Sequence, residues 1–175
     1  MKKLFFVLLT IISISQLQAQ DIPDNAIGIR LSEGFIGDEG FGPEITYQRK
    51  VLSDHNRIDI NLSFKSNSYI STYRSAAFLH WSYNIWDKLN WFAGPGAGVG
   101  YVDFKSRYLG FDNVWYDRDG KFFPFIGADF GVDYRFDFPL QVAFSIRPTY
   151  DFHDLDRYNV DQVGASVGIS ARYIF

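Results

Sequence analysis

Residues 163–175 read VGASVGISARYIF, and the way these side chains alternate decides the fold. Val163, Ala165, Val167, Ile169, Ala171, Tyr173 and Phe175 share one face of an extended chain, and Gly164, Ser166, Gly168, Ser170 and Arg172 share the other. A helix would scatter both sets around its circumference, whereas a strand separates them. The apolar face runs for about 13 residues, and a tilted strand needs roughly 9–11 to cross a bilayer.

Working backward, the same alternation recurs. Leu140, Val142, Phe144 and Ile146 oppose Gln141, Ser145, Arg147 and Thr149. Ile126, Ala128, Phe130, Val132, Tyr134 and Phe136 oppose Gly127, Asp129, Gly131, Asp133 and Arg135. Trp91, Ala93, Ala97, Val99 and Tyr101 oppose Asn90, Gly94, Gly96, Gly98 and Gly100. Ala77, Leu79, Trp81, Tyr83 and Ile85 oppose Phe78, His80, Ser82 and Asn84. Ile58, Ile60, Leu62 and Phe64 oppose Arg57, Asp59, Asn61, Ser63 and Lys65. Two shorter segments come first, Ile27 to Leu31 around Gly28 and Arg30, and Ile45 to Tyr47 around Glu44, Thr46 and Gln48.

These segments predict an all-β chain of about eight strands, the smallest usual membrane barrel. Short turns are expected at Leu52 to His55, Trp86 to Lys88 and Asp137 to Pro139. Longer loops are expected at Glu33 to Gly40, Ser66 to Arg74, Lys105 to Gly120 and Phe152 to Asp161. Outer-membrane barrels keep short turns on the periplasmic side and long loops outside. Tyr47, Trp81, Tyr83, Trp91, Tyr134 and Tyr173 then gather near the short turns, and Phe41, Tyr101, Phe122 and Tyr150 at the opposite ends. Two such girdles suit two membrane interfaces. Pro95 falls inside a strand, has no N–H for the ladder, and predicts a bulge or kink.

Composition agrees. Aromatics are 19% of residues and apolar residues 47%, yet mean hydropathy is −0.11. Half-greasy strands average out in this way. No later stretch is apolar enough for a spanning helix, and in lipid only helices and closed barrels satisfy the backbone. There is no cysteine, which removes disulfides and thiolate chemistry, and a net charge of −3 argues against a nucleic-acid partner.

The first residues read as a secretory signal peptide, 1–19, with Lys2 and Lys3 ahead of an apolar run from Leu4 to Ile12 and cleavage near Ala19. Residues 20–175 are then one domain.

With its signal peptide, alternating segments and final Tyr173-Ile174-Phe175, the chain resembles the small outer-membrane β-barrel family, which includes the membrane domain of outer membrane protein A. The resemblance implies an eight-stranded antiparallel up-and-down transmembrane barrel in a Gram-negative outer membrane. It also implies that Tyr173 and Phe175, with alternating apolar residues upstream, are read by the barrel-assembly machinery. The QAQD exit at residues 18–21 is similar to that of members from the Bacteroidota. Such a fold serves anchors, adhesins, enzymes and channels alike, so it specifies no activity.

Candidate chemistry lies on the inward face. Arg30, Glu44, Arg57, Asp59, Asp129, Asp133, Arg147 and Arg172, with Lys65 and Arg135, predict a salt-bridged polar lumen, because eight strands leave room only for their own side chains. The competing reading is a narrow path for ions or small solutes, opposed by the bulky inward Phe78, Phe92, Phe123 and Phe125. Gly94, Gly96, Gly98 and Gly100 are expected to admit large neighbours such as Arg147 or Phe125, with a small hydrated pocket as the functional alternative. His80 and Ser82 could form a base–nucleophile pair of a lipid A-modifying enzyme, but no acid partner is evident. Asp112, Asp117, Asp119, Asp151, Asp154, Asp156 and His153 are expected as solvated loop charge rather than a calcium loop. Tyr108, Phe111, Trp115 and Tyr116 mark either a recognition surface or a continued barrel wall.

The expected role is non-enzymatic, with no cofactor: envelope structure or binding through loops 105–120 and 152–161, by a monomer surrounded by outer-membrane lipid. A secreted lipocalin-like barrel is the soluble alternative, with the two faces reversed.

Overall fold

The computed structural model describes residues 25–36, 40–66, 70–104, 108–109, 115–116, 120–152 and 161–175. The expected signal peptide, Phe111 and the loop residues Asp112, Asp117, Asp119, His153, Asp154 and Asp156 lie outside them.

The described residues form ten strands: β1 (Asn25–Ile36), β2 (Phe41–Lys50), β3 (Asn56–Ser66), β4 (Ile70–Trp86), β5 (Leu89–Phe104), β6 (Tyr108–Leu109), β7 (Trp115–Tyr116), β8 (Lys121–Arg135), β9 (Leu140–Asp151) and β10 (Val163–Ile174). Eight of them close into one antiparallel barrel in the order β1-β10-β9-β8-β5-β4-β3-β2. The closure is the pairing of the last strand with the first, from Ala26↔Ile174 to Gly34↔Ser166. A closed ladder leaves no edge, the condition for strands in lipid.

Alternation sorts the two faces as the period of two requires. Outside stand Ile29, Leu31, Ile45, Leu62, Ile126, Phe130, Phe144 and Ile169, all exposed. Inside, most buried side chains are polar or charged. A soluble binding barrel would reverse this distribution, so the chain is a transmembrane barrel. Aromatics bound the apolar band. Tyr83 stacks on Trp91, and Tyr134, Phe136 and Phe138 follow one another at the short-turn end. Phe64, Tyr73, Tyr101 and Phe122 form a chain of ring contacts at the other end.

Several boundaries differ from the sequence reading. β1 runs on to Ile36 through the expected loop, because Glu33 and Gly34 still pair with Val167 and Ser166. β4 begins at Ile70, so Ser71 to Arg74 are strand, paired to both β3 and β5. Within the loop expected at 105–120, Tyr108 and Leu109 pair with Tyr116 and Trp115 as a separate ribbon. Ala165, expected on the lipid face, is buried at the point where the β1 register shifts.

Pro95 makes no bulge. The register shifts fall instead between Gly34 and Ile36 and between Asn84 and Trp86. At Pro95 the pairs Leu79–Pro95 and His80–Gly94 drop out of the β4–β5 ladder, the register on either side is unchanged, and pairing to β8 is unbroken. Pro43 leaves the same gap toward β3, and Pro148 toward β8. A glycine precedes the proline at two of them. A Cβ on Gly94 would collide with the Leu79 carbonyl oxygen, and one on Gly42 with that of Phe64. At both positions the facing carbonyl oxygen lies so close that only glycine leaves it the space. Gly94→Ala is therefore expected to cost about 1–3 kcal/mol, as overpacking against backbone does. Equilibrium unfolding in detergent checks this; an unchanged midpoint contradicts the close approach.

Candidate functional site

The lumen is the one region where the fold concentrates chemistry-bearing side chains among the described residues. Inward positions on different strands meet there because side chains of an eight-stranded barrel reach across its interior.

Arg147, on β9, is the hub. It donates through one terminal nitrogen to Glu44 Oε2 on β2 at 2.9 Å and through the other to Asp129 Oδ2 on β8 at 2.8 Å, and its guanidinium lies 4.3 Å from the Phe78 ring centre. Glu44 also accepts from Arg30 at 2.6 Å and from the Ser32 hydroxyl at 2.7 Å. Nearer the short turns, Arg172 donates to Asp59 at 2.9 Å and to Thr46 at 2.8 Å, and Gln48 donates to Asp59 at 2.8 Å. Arg57 lies 2.8 Å from Asp133, which also accepts from Asn90 at 3.1 Å. Arg57 stacks 4.6 Å from the centre of Phe92. Buried ions persist only when paired and hydrogen-bonded, and each acid here faces at least one arginine.

All eight inward charged residues singled out in the sequence are buried and lie in this lattice: Arg30, Glu44, Arg57, Asp59, Asp129, Asp133, Arg147 and Arg172. Two further members were not anticipated. Arg74, read as loop, is inside the barrel and grips Asp151 with both terminal nitrogens, at 3.2 and 2.6 Å. Its guanidinium lies 4.9 Å from the centre of Phe125 and 5.4 Å from that of Phe123. Asp151, read as solvated loop charge, is therefore a buried ion-pair partner. The signal was present, since Arg74 shares the period of two with Ala76, Phe78 and His80.

The glycine row receives aromatic rings. Cβ atoms on Gly96, Gly98 and Gly100 would overlap ring atoms of Phe78, Phe125 and Phe123 respectively. Arg147 lies over Phe78 rather than against the row. The cavity nearby holds about 20 Å³, room for one water molecule, and sits toward the long-loop end among Glu44, Lys65, Arg74, Phe78, Phe125 and Arg147. Phe78 and Phe125 separate it from the glycines.

His80 and Ser82 both face inward, 0% and 4% exposed. An acid partner exists: Asp129 Oδ2 is 3.4 Å from His80 Nε2. Neither imidazole nitrogen meets hydrogen-bond geometry with a partner, Ser82 included. No group of metal-ligating side chains occurs among the described residues. Tyr173 and Phe175 stack with ring centres 6.4 Å apart on the exterior at the short-turn end.

No family model and no curated protein matches the chain. Solved structures do. Neisserial surface protein A (NspA) superposes with a TM-score of 0.59 at 14% identity, covering 86% of this chain and 95% of that one. A major outer membrane protein from Thermus thermophilus gives 0.56 at 11% identity, with 86% and 99% covered. The N-terminal β-barrel domain of Pseudomonas aeruginosa OprF gives 0.51 at 15%, with 87% and 100% covered. At these identities the likeness is one of fold: the chain has the architecture of small eight-stranded outer-membrane barrels.

Proposed function

We propose that this transmembrane barrel resides in the outer membrane of a Gram-negative bacterium and acts through its exterior loops, in envelope structure or surface binding, with no enzymatic activity and no open pore. The observation that carries this reading is the Arg147 bridge, which spans the lumen between β2 and β8 and is packed on Phe78. A core closed at that level offers no path for solutes and no solvated nucleophile. What remains for interaction is the loop-bearing end, where segments 105–120 and 152–161 are the candidates for contact with an external ligand. The neighbours named above are outer-membrane or surface proteins by their own descriptions, which supports the location. Tyr173 and Phe175 suit a recognition signal for the assembly machinery, and the uniform apolar band suits a monomer surrounded by lipid.

The lumen is tested in planar bilayers. The purified barrel is expected to insert without resolved conductance steps; regular steps would establish a channel instead. The loop role is tested by shortening segment 105–120, which is expected to remove surface binding while heat-modifiable folding persists.

A further inference from the structure

We propose that the short-turn end of the barrel is a lipid-docking surface, whose turn tips insert into the boundary between phospholipid headgroups and acyl chains, anchored by Leu52, Trp86 and Phe138. The inference rests on the transmembrane fold alone and does not depend on the loop-based role.

Each short turn carries a large apolar side chain that the protein leaves uncovered. Leu52 is 89% exposed, Trp86 78% and Phe138 57%. Leu52 lies between β2 and β3 with φ at 61°. A left-handed backbone suits Gly, Asn or Asp and disfavours leucine. In water this residue would be unfavourable twice, through its backbone and through its bare surface. Trp86 follows the register shift between Asn84 and Trp86. Uninterrupted alternation would give it the inward parity of His80 and Ser82, and the shift leaves it exposed instead.

Continuity with the lipid face identifies the occupant. Phe138 ends an outward series in which Tyr134 meets Phe136 at 4.9 Å and Phe136 meets Phe138 at 5.2 Å between ring centres. His55, in the turn of Leu52, meets Tyr83 at 5.3 Å, and Tyr83 stacks on Trp91 at 5.5 Å. Trp86 follows the exposed, outward Ile85. The surface that faces lipid therefore runs on to the turns.

The depth stops at the headgroups. Turn backbones need polar partners that hydrocarbon lacks. The turns also carry the ion pairs Lys50–Asp54, at 3.2 Å, and Lys88–Asp137. Paired charges beside Trp, Leu and Phe suit the interface, where aromatic side chains collect. Phe144 pairs with Ile169 midway along β10. From Phe144 to Phe138 a strand tilted by about 40° descends about 15 Å, half of a roughly 30 Å hydrocarbon core.

The full chain folded into phosphatidylcholine vesicles provides the test. It has no cysteine, so Leu52→Cys, Trp86→Cys and Phe138→Cys each offer one position for a fluorescent label. Lipid brominated near the headgroup end of its acyl chains is expected to quench all three labels strongly. Bromine near the chain terminus is expected to quench them weakly and a label at Ile169→Cys strongly. The vesicles hold no other protein, so a surface built for a protein partner would leave the labels in water. Quenching by aqueous iodide and by neither lipid, at any of the three, would overturn the proposal. Leu52→Asn gives a readout without labels. The side chain is almost bare, so its loss removes almost no packing within the protein. In vesicles the variant is expected to lose roughly three- to tenfold in the folding equilibrium constant, as for a partly buried leucine. A turn standing in water would gain from asparagine, which tolerates the left-handed backbone. An unchanged or raised urea midpoint in vesicles would therefore overturn the proposal as well.

Discussion

Ile169→Arg is expected to cost about 2–4 kcal/mol in folding stability, the penalty for a cation on the lipid face of a barrel near the bilayer midplane. Ile169 lies midway along β10, 61% exposed, and is paired to Leu31 on one side and Phe144 on the other. All three are apolar and outward, so an arginine there has no polar partner within its own face. Equilibrium unfolding in lipid vesicles measures the loss, and heat-modifiable migration reports whether the barrel still assembles. Ile169→Val, which keeps the face apolar, is expected to be nearly silent. A soluble barrel with its apolar groups inside would accept arginine at this position; full tolerance, with the protein free in aqueous buffer, would refute the membrane reading.

Arg147→Met is expected to destabilise by about 3–5 kcal/mol, the range for removing one partner of a buried charge pair. The variant leaves Glu44 with Arg30 and Ser32, and leaves Asp129 with the nearby His80 and the more distant charge of Arg30, neither of them a hydrogen-bonded arginine. Most of the loss therefore belongs to Asp129. Adding Asp129→Asn to the variant is expected to recover part of it, because the amide needs no counter-charge, and the two substitutions should be strongly non-additive. If water filled the lumen instead, screening would reduce the single-variant effect to below about 1 kcal/mol, as for exposed pairs. Urea unfolding in detergent separates these outcomes.

The reach of the sequence differed from element to element. Residues 163–175 declared a strand, its lipid face and its length, because a period of two maps directly onto the two sides of a sheet. The inward charges were legible for the same reason: Arg30, Glu44, Asp129 and Arg147 each sit between neighbours that face outward. Arg74 and Asp151 read as loop residues because loop length was inferred from composition. Polar strands that continue above the membrane have the composition of loops, and only their pairing tells them apart. Pro95 misleads for a related reason. A missing N–H predicts a disturbed ladder, but whether a bulge forms depends on the neighbouring strand, and Gly94 lets the Leu79 carbonyl settle close by with the register intact.

By itself, then, the sequence determined the architecture, the face of each strand and the candidate members of the lumen. These are local properties, written in the alternation of side chains along one strand at a time. Only the tertiary structure decided the partners: that Arg147 joins β2 to β8, that Arg172 reaches Asp59, that His80 meets Asp129 without engaging Ser82. Partner choice depends on barrel closure and on the stagger of strands far apart in the chain, and no periodicity within a single strand encodes either.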